Sequence, residues 1–197
     1  MGESVVNRRK ANKSGKEMEK IVGEALLRDI VSQGFFEVAI PVKFKPKKKY
    51  GSTACFENQS NDCIYVLKGK DLHKFAAAYN GFSLTEKFQK ELHPDFALIN
   101  LAKKRLFILE IKNQNRAGSV DEKLQTTHFK RFYYEHMAEG LGLKLDFYWL
   151  LGGSYISVNV SKYEAIIQYM SSQGSKVKIF NKDPRAAITE LLRHFLA

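Results

Sequence analysis

Asp95, Glu110 and Lys112 are residue types suited to hydrolytic chemistry, and their spacing would bring them together. Asp95 closes the triplet His93-Pro94-Asp95, and fourteen residues separate it from Glu110-Ile111-Lys112. The segment reads as a hairpin, with strands over 95–100 and 105–112 and a loop over 101–104. In that register, residues whose numbers sum to 205 face each other, so Asp95 lies opposite Glu110. Opposed side chains in an antiparallel pair have Cβ atoms roughly 4.5–5.5 Å apart, and like charges there are destabilising. A cation between the two carboxylates is therefore expected, and a divalent metal suits because hard cations take carboxylate oxygens. Lys112 projects from the same face, about 7 Å along the strand. Two carboxylates, a metal and an ammonium on one sheet face make a site for phosphodiester hydrolysis.

The strand that must hold these groups has its own signature. Leu106 and Ile108 share the parity of Glu110 and Lys112, while Phe107, Leu109 and Ile111 occupy the other face. Both faces start apolar and charge appears only at the C-terminal end, which argues for a central, covered strand. A surface Glu–Lys ladder beside an unrelated Pro-Asp turn would alternate from its first residue. An isolated Glu-x-Lys is a weak motif; with Pro-Asp at hairpin spacing and buried flanks it is more specific.

On these residues the chain resembles the PD-(D/E)XK nuclease superfamily. The stretch 110–126, from Glu110 through Asn113, Gln114, Arg116 and Ser119 to Thr126, is similar to the segment after the catalytic strand in certain type II restriction endonucleases. The likeness spans roughly residues 13–127, with 35–90 poorly covered. It implies a restriction-endonuclease-like core and Mg²⁺-dependent cleavage of double-stranded DNA, with one or two ions per site. Asp95, Glu110 and Ile111 would ligate metal, and Lys112 would orient or help deprotonate the attacking water, aided by a lowered pKa. In many nucleases of that superfamily a first-helix glutamate reaches the metal through water. Glu19 matches best here, since Glu17 is explained by capping and Glu24 by an i,i+4 pair with Arg28. A solvated helix carboxylate is the plainer account of Glu19. A homodimer cutting a short palindromic site, with a cognate DNA methyltransferase in the same system, is the leading expectation. A Holliday-junction resolvase and a non-catalytic DNA-binding module are the rivals.

Composition agrees with a polyanionic partner. The 197 residues carry 32 Lys and Arg against 21 Asp and Glu, a formal net charge of +11 that favours nucleic acid. No apolar run approaches the roughly 18 residues of a membrane span, no amphipathic segment favours a membrane surface, and no signal peptide opens the chain, so a cytoplasmic protein is expected. Cys55 and Cys63 fit that compartment as reduced thiols and lack zinc spacing. The histidines are scattered, with His93 beside the carboxylate pair at most in a supporting place.

The remaining chain reads as α/β, a central mixed β-sheet flanked by helices, in a single domain over 15–197. Residues 1–14 read as a flexible basic arm, and 14–32 as a helix capped by Ser14 with Met18, Ile21, Val22, Ala25, Leu26 and Val31 inward. A strand over 35–41 leads into a lysine-rich loop whose Lys47 and Lys48 suit a phosphate backbone. Polar, turn-rich 51–62, a strand over 64–67 and short helices over 71–79 and 84–91 complete an expected insertion at about 42–91, for DNA recognition or dimerisation. Past the catalytic strand, Asn113, Gln114, Arg116 and Ser119 suit base-edge or backbone contacts, although a polar loop with a helix cap explains them equally. In a helix over 120–139, Lys123 and Lys130 lie seven apart and can face phosphate together, with Phe129, Phe132, Tyr133 and Tyr134 as core. A strand over 144–151 with Trp149, a turn at Gly152-Gly153, a helix over 162–170, a strand over 177–180 and a helix over 184–195 follow.

Overall fold

A computed structural model describes residues 2–40, 54–85, 87–115 and 120–196. It is an α/β fold on one seven-stranded mixed sheet whose strands lie in chain order. These are β1 (Phe36–Val38), β2 (Ala54–Glu57), β3 (Cys63–Leu67), β4 (Phe96–Asn100), β5 (Arg105–Asn113), β6 (Lys144–Gly152) and β7 (Lys176–Phe180). Each pairing from β1 to β5 is antiparallel, whereas β6 and β7 run parallel to β5. The helices are α1 (Gly2–Ser32), α2 (Asp71–Asn80), α3 (Val120–Gln125), α4 (Thr127–Gly140), α5 (Ser154–Val158), α6 (Val160–Ser172) and α7 (Arg185–Leu196).

The hairpin has the expected register: Phe96 pairs with Leu109 and Asn100 with Arg105. Lys104, at φ 51°, closes its turn with a backbone bond to Leu101, and the Asn100 side chain accepts from the Lys103 N–H. β5 is covered on both faces. Leu106 and Ile108 join Trp149, Tyr133 and Tyr134 in the layer under α2 to α6, while Phe107, Leu109 and Ile111 pack with the residues of α1 and α7.

Several elements depart from the expectations. The first helix begins at Gly2, so residues 2–14, expected as part of a basic arm, continue the helix backwards and Ser14 is not its cap; Arg, Lys and Ala propagate helix readily. Its inward stripe is Met18, Val22, Ala25, Leu26 and Ile30, leaving Ile21 and Val31 exposed. Glu24 pairs with Lys20, and Arg28 turns instead to Asp29. The polar stretch 51–62 contains β2, whose Cys55 and Phe56 are buried because tertiary pairing with β3 overrides its local composition. The stretch expected as an insertion thus supplies β2, β3 and α2 to the sheet and both core layers. Over 84–91 the described residues form only a turn at Leu84, since one apolar i,i+4 pair, Leu84 and Phe88, gives too little burial to offset helix nucleation. The helix expected over 120–139 breaks at Thr126, where the Thr126 and Thr127 hydroxyls bond back to the carbonyls of Lys123 and Leu124. A short helix, α5, follows Gly153 directly. Both cysteines are free thiols, and burial, with Cys63 nearby, pushes Cys55 up to about 12. Among the described residues no helix is long and apolar enough to cross a membrane.

Candidate active site

The site forms where β4 and β5 separate. Beyond the Phe96–Leu109 pair, the Asp95 carboxylate continues the ladder: its Oδ2 accepts from the Ile111 backbone N–H at 2.6 Å. Pro94, just before it, accepts from the Gly69 N–H at 3.1 Å, which ties the approach to Asp95 to the turn after β3. Glu110 sits in the middle of the sheet, beside Trp149 of β6, and is only 2% exposed. The hairpin thus carries both carboxylates to its open end, on the face under α4.

The cation facing them is Lys112. Its Nζ lies 3.4 Å from Asp95 Oδ2, 3.4 Å from Glu110 Oε2 and 2.8 Å from the Ile111 carbonyl oxygen. These are the three groups expected to ligate metal, so the ammonium marks the place where their oxygens converge. A second ammonium comes from α4: Lys130 Nζ is 2.7 Å from Glu110 Oε2. Both amines lie over the Trp149 ring, at 5.4 and 5.1 Å from its centroid, a placement that suits desolvated cations. Two carboxylates therefore face two ammoniums. The positive charge expected between the acidic pair is supplied in this structure by the two lysines.

The electrostatics follow from burial. Desolvation, reinforced by the Asp95 charge, raises the Glu110 carboxyl above the usual range, with Lys130 and Lys112 pulling against it. Burial alone would lower Lys112, but Asp95 and Glu110 more than offset it and the ammonium is held above its ordinary value. Without an ion beside it, Lys112 is held up because its carboxylate neighbours stabilise the charged form more than burial penalises it. Tyr134, one turn after Lys130, is pushed well above 10 by burial and by the Glu110 charge.

A hard divalent cation fits these donors. Glu110 Oε1, Tyr134 Oη and Trp149 Nε1 are buried without a hydrogen-bond partner among the described residues. An unsatisfied buried carboxylate oxygen is costly, and a cation would satisfy it. The convergence of Asp95, Glu110 and the Ile111 carbonyl supplies oxygen donors alone, as Mg²⁺ prefers.

The other expected residues divide. Glu19 is 2.7 Å from Lys68, which lies over the Phe96 ring on the α1 side of the sheet; this pairing, and not the carboxylate pair, is what the structure gives it. Lys130 moves from an expected phosphate contact into the site itself. Lys123 is exposed on α3, which Thr126 separates from the α4 helix that carries Lys130. Asn113 is half-buried at the end of β5. Gln114 is buried, its side-chain oxygen and nitrogen without partners among the described residues, and its backbone bonds Gly152 and Tyr155. Arg116, Ser119, Lys47 and Lys48 lie outside the described residues.

Lys130 is the site residue whose role sequence reasoning missed. A signal was present: Thr127, Lys130, Tyr134, Met137 and Leu141 recur at helical spacing, and a lysine on an inward stripe calls for a buried acid. Compared with protein families, curated proteins and solved structures, the chain finds no match.

Proposed function

We propose that the chain is a Mg²⁺-dependent endonuclease of the PD-(D/E)XK kind that hydrolyses double-stranded DNA. The observation that carries this reading is the convergence of Asp95, Glu110 and the Ile111 carbonyl on one cation position, occupied by the Lys112 ammonium. The net charge of +11 supports a polyanionic substrate. The finer reading is a type II restriction enzyme, acting as a homodimer on a short palindromic site and accompanied by a methyltransferase.

The chain's own groups divide the work. Asp95 is fixed by the Ile111 N–H, so its carboxylate is oriented before any ligand arrives. Glu110 is held by Lys130. Lys112, kept protonated by its neighbours, is a donor: it can position a water or a phosphate oxygen and stabilise charge that develops during displacement. Mg²⁺ held by Asp95, Glu110 and the Ile111 carbonyl would polarise the phosphate and lower the pKa of bound water.

Incubation of the protein with a sequenced linear duplex and Mg²⁺, followed by mapping of the ends, tests the reading. Discrete fragments with reproducible termini are expected. Cleavage confined to branched DNA would replace it with the resolvase reading. Absence of metal-dependent cleavage on every DNA form would leave a binding module.

A further inference from the structure

The loop before Asp95 brings a second set of ligating side chains together. His73 of α2, with Glu91 and His93 of the loop, places one donor atom from each residue within 4.8 Å of the others. The two imidazoles meet edge-on at 5.5 Å and 85°. His73 Nε2 is 2.8 Å from the Leu92 carbonyl oxygen, and a carbonyl can only accept. Nε2 therefore carries a hydrogen, which leaves Nδ1 as the ring nitrogen that would ligate a metal. Donation of one ring N–H to a backbone carbonyl is how metal-bound histidines are oriented. Here the carbonyl belongs to the residue between the other two candidate ligands.

We propose that His73, Glu91 and His93 bind a divalent transition-metal ion of the zinc class, at a site separate from the Asp95–Glu110 pair. Two imidazoles and a carboxylate suit zinc, cobalt or nickel rather than Mg²⁺, which prefers oxygen alone. Bonds of about 2.0–2.1 Å around a tetrahedral ion put ligand atoms about 3.4 Å apart, so the three groups close in modestly from their present spacing. His93 is exposed, which leaves a fourth position to water. The ion would clamp α2 to the segment that enters Pro94-Asp95, already tied to the turn after β3 by the Gly69–Pro94 bond. Its consequence is a fixed approach to Asp95. Binding at this site does not depend on the nuclease reading.

Co²⁺ is the probe, since tetrahedral nitrogen–oxygen coordination gives a visible ligand-field spectrum. Metal-stripped full chain titrated with Co²⁺ should take up one ion with that spectrum, and Zn²⁺ should displace it. His93→Ala, at an exposed position, and His73→Ala should each weaken uptake by more than about tenfold, the range produced by losing even an outer partner of a metal ligand. Asp95→Asn/Glu110→Gln should leave the spectrum unchanged. Far-UV circular dichroism checks that each variant is folded. No spectrum from the wild type, equal uptake by folded His93→Ala, or loss of the spectrum in Asp95→Asn/Glu110→Gln would each overturn the proposal. None of these outcomes bears on DNA cleavage.

Discussion

Lys130→Met removes one of the two ammoniums that neutralise Glu110. The Glu110 side chain is 3% exposed, and its Oε2 is 2.7 Å from Lys130 Nζ. At an effective dielectric constant of about 20, two unit charges at that separation attract by about 6 kcal/mol. The net loss is smaller, because Lys130 regains hydration in the unfolded chain and Lys112 stays 3.4 Å away. Breaking a buried pair from one side costs about 3–5 kcal/mol, and the remaining lysine puts this variant near the lower end, about 3 kcal/mol at neutral pH. Losing the Lys130 charge raises the Glu110 carboxyl further. The pH dependence has a defined sign. Glu110 is raised in the folded protein, so the fold binds its proton more readily than the unfolded chain does. Stability associated with this group is present below the unfolded carboxyl value and is lost as pH rises through the folded one. Raising the folded value further makes the variant's deficit grow from acid towards neutrality. Urea unfolding of both proteins in EDTA, at about pH 5 and about pH 7.5, measures it. Glu110→Gln/Lys130→Met should recover to within about 1 kcal/mol of wild type, since both charges are gone. A deficit below about 1 kcal/mol at neutral pH, or one that is larger at acid pH, would refute the reasoning.

Two further perturbations probe the frame around the site. Gly153 has φ 98°, and a Cβ there would stand 2.3 Å from the Gln114 carbonyl oxygen, so Gly153→Ala should cost more than about 2 kcal/mol in thermal or urea unfolding; a neutral effect would mean that the junction of β6 and α5 is not fixed as described. Thr189 donates to buried Asp29 at 2.5 Å across the α1–α7 contact, and Thr189→Val should lose about 1–3 kcal/mol, with no loss counting against that link.

The hairpin was legible because two independent signals agreed: four loop residues set the register, and apolar parity set the faces. The mixed sheet was legible from the alternation of apolar runs with helical patterns. β2 was not, because Ala54-Cys55-Phe56-Glu57 is short and polar-flanked, and its burial comes from pairing with β3. α4 was placed, but its inward lysine was read as a surface charge, since local pattern does not say which acid lies beneath a helix. The same limit applies to the charge logic. Opposed acids demand a cation, yet composition could not tell a metal ion from an ammonium two residues away, and Lys112 holds that position. The histidine cluster was invisible for another reason: seventeen and nineteen residues separate His73 from Glu91 and His93, and the non-helical course of the chain before Pro94 closes the gap.

Single-turnover cleavage of duplex DNA by wild type, Asp95→Asn and Glu110→Gln, at protein concentrations where all three bind the DNA, tests the central claim most directly. Loss of Mg²⁺-dependent strand scission in both variants, with binding retained, is the expected result. Scission by either variant at the wild-type rate would contradict it.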